Sequence, residues 1–126
     1  MALFDTVIRL LEEVYLTKNF SYAEKHLPEN FICHCSAGTI NKAQAIDLAK
    51  KYLKKHSIKK IYSTVENSDE ETITLNILLE CNEKEKFLGF TVGEYGTVHR
   101  HLKTFKIKNG VITESWDESP ALEYEA

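Results

Sequence analysis

The chain has 126 residues, 43% of them hydrophobic and 28% charged, with a formal net charge of −3. That is enough for one domain with one core, and a single domain over residues 1–126 is expected. The charge balance offers no field that would gather nucleic acid or an anionic membrane, and no apolar run approaches the ~18 residues of a membrane span. With only 5 Gly and 2 Pro, the composition carries no low-complexity bias toward disorder. No basic region followed by a long apolar stretch and a cleavage site opens the chain, so no secretory signal is expected and the cytoplasm is the expected compartment. Cys33, Cys35 and Cys81 form an odd count without the C-x-x-C spacing of redox and zinc motifs, and read as reduced thiols.

Leu3, Phe4, Val7, Ile8, Leu11, Val14 and Tyr15 recur at three- and four-residue spacing, which predicts an amphipathic first helix. Ser21 with Glu24 has the capping-box form for a short second helix that Pro28 ends. Phe31 to Cys35 reads as a short strand. Asn41 with Gln44 is a second capping box, opening a helix to about His56.

From Ile58 onward the period changes to two. Ile73, Leu75, Ile77, Leu79 and Cys81 alternate with mostly polar residues, as in a half-buried strand. Asn67 to Asp69 and Asn82 to Lys84 are expected to be hairpin loops. A strand near Phe87 to Val92 carries Gly89 and leads to Gly93 and Gly96, where a bulge or bend is expected. Val98 to Lys108 and Val111 to Asp117 flank Asn109-Gly110, a strong two-residue hairpin signal. Helices followed by a meander of strands give an α+β fold, a curved, mainly antiparallel sheet covered by helices on one face. Its open end would form a pocket.

His99, His101, Lys103, Phe105 and Ile107 share one face of their strand, and Arg100, Leu102, Thr104 and Lys106 the other. Apolar residues at one end and titratable ones at the other suit a pocket with a dry floor and a polar mouth. The last strand has two possible registers. A two-residue loop at Asn109-Gly110 puts Glu114 and Trp116 on the histidine face; a three-residue loop with a bulge at Gly110 puts Thr113, Ser115 and Asp117 there. Either supplies a carboxylate near His101, and such a pair can serve as general base or acid. The carboxylate is expected to raise the His101 pKa above its ordinary value. Lys50, Lys51, Lys54 and Lys55 read as a solvated cluster at a helix C-terminus. His34, His99, His101 and a carboxylate form no closed ligand set, so no metal is expected and chelators should leave stability unchanged.

Phe31-Ile32-Cys33-His34-Cys35-Ser36 with Gly38, Val98-His99-Arg100-His101, and the Phe105 to Asp117 ending with Ser115-Trp116-Asp117 resemble the motifs of the SnoaL-like family. This family belongs to the nuclear transport factor 2-like superfamily of ketosteroid isomerase and polyketide cyclase relatives. The resemblance implies a cone-shaped α+β fold with an internal pocket, a homodimer through the outer face of the sheet, and no organic cofactor. It implies a small-molecule ligand, carbonyl-bearing and partly apolar, handled by proton transfer as in an isomerase or cyclase. His101 or His99 would move the proton, Asp117 or Glu114 would orient that histidine, and Lys103 would steady enolate charge. Tyr15, His34, Cys35, Phe105 and Trp116 would line the ligand site. The family's polar residue on the first strand is Cys35 here, and its catalytic aspartate position looks like Lys103. The alternative is a non-catalytic binding or dimerisation module, with Trp116 and Leu102 at a subunit interface.

Overall fold

The structure, a computed structural model, describes residues 2–81, 85–87, 90–92 and 97–118 of the chain. Helix α1 (Ala2–Leu11) runs into a π-helical turn, Glu12–Leu16, and α2 (Phe20–His26) follows. Strands β1 (Ile32–Cys35) and β2 (Gly38–Asn41) form a hairpin ahead of α3 (Lys42–Lys55). Strands β3 (Ile58–Ser68), β4 (Thr72–Cys81), β5 (Glu85–Phe87), β6 (Phe90–Val92), β7 (Thr97–Lys108) and β8 (Val111–Asp117) complete the fold.

Six strands make one curved sheet in the order β2-β1-β8-β7-β4-β3, antiparallel throughout except where β1 lies parallel to β8. The alternation expected for β4 is complete: Ile73, Leu75, Ile77, Leu79 and Cys81 are all at most 2% exposed. A pleated strand turns every second side chain to one face, and that face meets Val7, Leu11 and Val14 from the first helical segment and Ile46 and Leu53 from α3 in a single core. The Asn41–Gln44 capping box is present in full, with Asn41 Oδ1 accepting from the Gln44 N–H and the Asn41 N–H donating to Gln44 Oε1, both at 2.9 Å.

Several sequence expectations need correction. Helix α2 begins at Phe20 with Asn19 as its N-cap, so the Ser21–Glu24 box does not form. The Asn19 N–H is held by the Glu13 carbonyl and the Ser21 hydroxyl donates to Asn19 Oδ1, which start the helix two residues early. Strand β3 runs through Ser68, and the turn lies at Asp69, whose carboxylate accepts from the Glu71 and Thr72 N–H groups. The single strand expected near Phe87 to Val92 is two short strands, β5 and β6, paired with each other and outside the main sheet. The loop expected at Asn82 to Lys84, and Gly89, Gly93 and Gly96, lie outside the described residues. Strand β2 has no counterpart in the sequence reading, because Ile40 is its one apolar member with an inward share.

Candidate functional site

The register of β8 decides which side chains the site contains. Asn109 and Gly110 both have positive φ, 53° and 78°, the two-residue primed turn that suits a twisted hairpin. Lys108 pairs with Val111 and Ile107 with Ile112, as that turn requires. The pairing then slips: Lys106 meets Glu114, leaving Thr113 as an extra residue on β8. The Thr113 hydroxyl donates to the Lys106 carbonyl at 3.4 Å. A one-residue bulge reverses the alternation beyond it. Ser115 and Asp117 therefore face inward and Glu114 and Trp116 outward, a combination of the two-residue loop with the parity of the three-residue one.

The concave face holds a cavity of about 200 Å³ between the sheet and the helices. Its walls are apolar, from residues such as Leu11, Phe20, Leu27 and Phe105, and its polar groups gather from β1, β7 and β8. Lys103 pairs in register with Asp117, and Lys103 Nζ lies 3.4 Å from Asp117 Oδ2 and 3.4 Å from the Tyr15 hydroxyl, to which it donates. Tyr15 comes from the π-helical turn, a local widening of the helix that recurs at functional sites. Burial opposes the Lys103 charge, but Tyr15, Asp117 and Cys33 outweigh it and push the pKa above the ordinary lysine value. Lys103 is thus an ammonium ion set in an apolar wall.

His101 lies two residues before Lys103 on the same face. Burial is the chief reason its pKa falls to about 4; the Lys103 charge adds to the fall, Asp117 opposes it, and His99 and His56 add smaller contributions. The expected rise is therefore reversed, because the carboxylate is already engaged by an ammonium and the imidazole is mostly out of water. Cys33 pairs in register with Ser115. Burial pushes its thiol pKa up, against a hydrogen bond with Ser115 and the Lys103 charge.

Of the candidates read from sequence, Tyr15, Cys35, His101, Lys103, Phe105 and Asp117 line the cavity. His34, Glu114 and Trp116 do not. They form a group on the outer face, where His34 Nε2 is 2.5 Å from Glu114 Oε2 and the His34 and Trp116 rings stack at 5.2 Å. His34 alternates with the inward Cys33 and Cys35, and the Thr113 bulge turned its two partners outward with it. His99 faces inward but does not line the cavity, and its Nδ1 is 2.5 Å from the Tyr52 hydroxyl. Sequence reasoning missed Tyr52 and Cys33 as cavity residues and placed Ser115 there in only one of its two registers. The capping box at Asn41 was the signal available for Tyr52, since it fixes the phase of α3.

No protein-family model matches the chain, and no curated protein matches it. Solved structures do. IdmH, a proposed polyketide cyclase of Streptomyces antibioticus, superposes with a TM-score of 0.71 at 14% identity over 94% of this chain and 91% of its own. A proposed SnoaL-like polyketide cyclase from Jannaschia matches with a TM-score of 0.66 at 17% identity, covering 97% and 88%. An NTF2-like protein of unknown function from Cytophaga hutchinsonii matches with a TM-score of 0.63 at 16% identity, covering 94% and 90%. The architecture is α+β, helices packed in the hollow of a curved mixed sheet. More particularly, it is the fold of the SnoaL-like, NTF2-like proteins. No helix among the described residues is long and apolar enough to cross a membrane.

Proposed function

We propose that the chain binds a small, largely apolar ligand carrying a carbonyl group and moves a proton at the carbon next to it. The observation that carries this reading is the Lys103 ammonium, held by Asp117 and Tyr15 in the wall of an otherwise apolar cavity. A fixed positive donor in a dry site favours an oxygen that gains negative charge, as a carbonyl does on becoming an enolate. His101, neutral at pH 7 and on the same face, is the proton acceptor; its low pKa gives it roughly the base strength of a carboxylate. Asp117 positions Lys103. A cavity of about 200 Å³ lies between the ~150 Å³ that accommodates benzene and the ~300 Å³ at which drug-sized pockets begin, so the part of the ligand held inside it is of single-ring size.

The test is deuterium exchange next to the carbonyl of simple cyclic and aryl ketones in D2O, followed by proton NMR. Wild type should accelerate exchange over buffer, and Lys103→Met and His101→Ala should each lose about a hundredfold or more, the lower bound of what one general acid–base or oxyanion group contributes. Ligand binding without accelerated exchange would reduce the function to binding, and the absence of both would overturn it.

The outer face supports a second, compatible reading. Trp116 lies there, half-buried against His34 and pointing away from the cavity, which favours a homodimer formed through this face. Sedimentation equilibrium should show a dimer that Trp116→Ala weakens; a monomer at tens of micromolar would overturn it.

A further inference from the structure

Three metal-ligating side chains converge beside the cavity, from three separate elements. His56 is the C-cap of α3, where its N–H donates to the Tyr52 carbonyl at 3.0 Å. Cys81 ends β4 and is 1% exposed. His99 lies on β7 opposite Leu79, while Cys81 is opposite Thr97, so Cys81 and His99 are diagonal neighbours on one face of the sheet. One ligand atom from each lies within 4.8 Å of the other two. Cys81 Sγ is 3.9 Å from His99 Nδ1, and the His56 and His99 rings meet edge to face at 4.6 Å.

We propose that His56, Cys81 and His99 form a transition-metal site that takes Zn2+. The donors are two imidazoles and a thiol with no carboxylate among them, a set that suits zinc and does not suit calcium or magnesium. Ligand atoms around a tetrahedral zinc are roughly 3.3–3.8 Å apart, so the three groups need to close by about 1 Å. His56 can supply that movement, since it is half-buried at a helix end while the other two are fixed in the sheet. On binding, the Cys81 thiol becomes a thiolate ligand and its proton passes to solvent. The Tyr52 hydroxyl bonds the same His99 Nδ1 that faces Cys81, so metal binding through this nitrogen displaces that hydrogen bond. A zinc ion here would fasten the end of α3 to β4 and β7, independently of the Lys103 chemistry.

The experiment uses the full chain stripped with a chelator and then given Zn2+, or Co2+ as an optical probe. Zn2+ in hundredfold excess over its dissociation constant should raise the melting temperature by roughly 5–15 °C. Co2+ should produce near-ultraviolet thiolate-to-metal absorption. His56→Ala, a change at a helix end that leaves the sheet intact, should weaken binding at least tenfold. Cys81→Ala should abolish the thiolate absorption, and the Cys33→Ser/Cys35→Ser double variant should keep it. No stabilisation and no thiolate absorption in wild type would overturn the site. So would absorption that survives His56→Ala unweakened or that follows Cys33 and Cys35 in place of Cys81.

Discussion

Lys103 and Asp117 are register partners on β7 and β8, and their charged groups meet on the concave face with side chains only 17% and 25% exposed. Removing one member of such a pair strands the other in a poorly solvated place. Asp117→Asn should therefore lower stability by about 2 kcal/mol, between the values for exposed and for fully buried pairs. The double change Lys103→Met/Asp117→Leu should recover most of that loss while abolishing the cavity's chemistry. Urea unfolding of the two variants beside wild type measures the loss and its recovery.

The His101 imidazole should titrate near pH 4 in metal-free protein. Its folded pKa, about 4, lies below the ordinary 6.5, so the unfolded chain binds the proton more tightly. Its contribution to stability is complete above pH 6.5 and is lost as pH falls from 6.5 toward 4, on the order of 3 kcal/mol in all. The groups facing it are Lys103, Asp117, His99, His56 and the Tyr52 ring, and Lys103→Met should raise the titration midpoint by removing a like charge. The His101 ring-proton shift against pH reports it directly. A midpoint at or above 6.5 would show that the carboxylate dominates.

The sequence made the periodic parts of this fold legible and the spatial coincidences illegible. β4 shows its buried face through strict alternation, α3 its start through Asn41 and Gln44, and the last hairpin its turn through Asn109-Gly110. Each of these is a local rule acting within a few residues. The Thr113 bulge obeys no such rule: one extra residue can sit at several points along β8 at similar cost, and its place decides whether Glu114 or Asp117 enters the cavity. Local spacing likewise says nothing about His56 meeting Cys81, because α3 must first pack on the sheet. The sign of the His101 shift failed for a related reason. It depends first on how far packing takes the imidazole out of water, and only then on the Lys103 and Asp117 charges.

At Gly110 the backbone has φ +78°, and a Cβ built there would meet no atom within 4 Å. Gly110→Ala should cost about 1 kcal/mol, all of it backbone strain in the left-handed region and none of it steric clash. Gly110→Asn should cost less, since Asn tolerates that region. Thermal unfolding of the two variants distinguishes strain from crowding.

Lys42 is 8% exposed, and its ammonium donates to the Glu24 and Leu27 carbonyls at 2.7 and 2.8 Å. It acts as a clamp from α3 on the end of α2. Lys42→Met keeps the length and removes the charge, leaving two carbonyls without that donor. A loss of about 2 kcal/mol is expected, with amide exchange in α2 accelerating more than in β4. Equal acceleration everywhere would show that the clamp has no local role.

The parallel contact between β1 and β8 pairs Ile32 with Glu114 and His34 with Trp116, joining segments about eighty residues apart. Closing so long a loop is entropically slow. During synthesis, β1 and β2 stay without their main-sheet neighbour until β8 has left the ribosome, so the cavity wall that carries Cys33, Cys35, Ser115 and Asp117 is completed last. A chain shortened before Val111 would keep α3 and the β3–β4–β7 ladder yet hold only half a cavity, with an open edge on β7 ready to recruit a strand from another molecule.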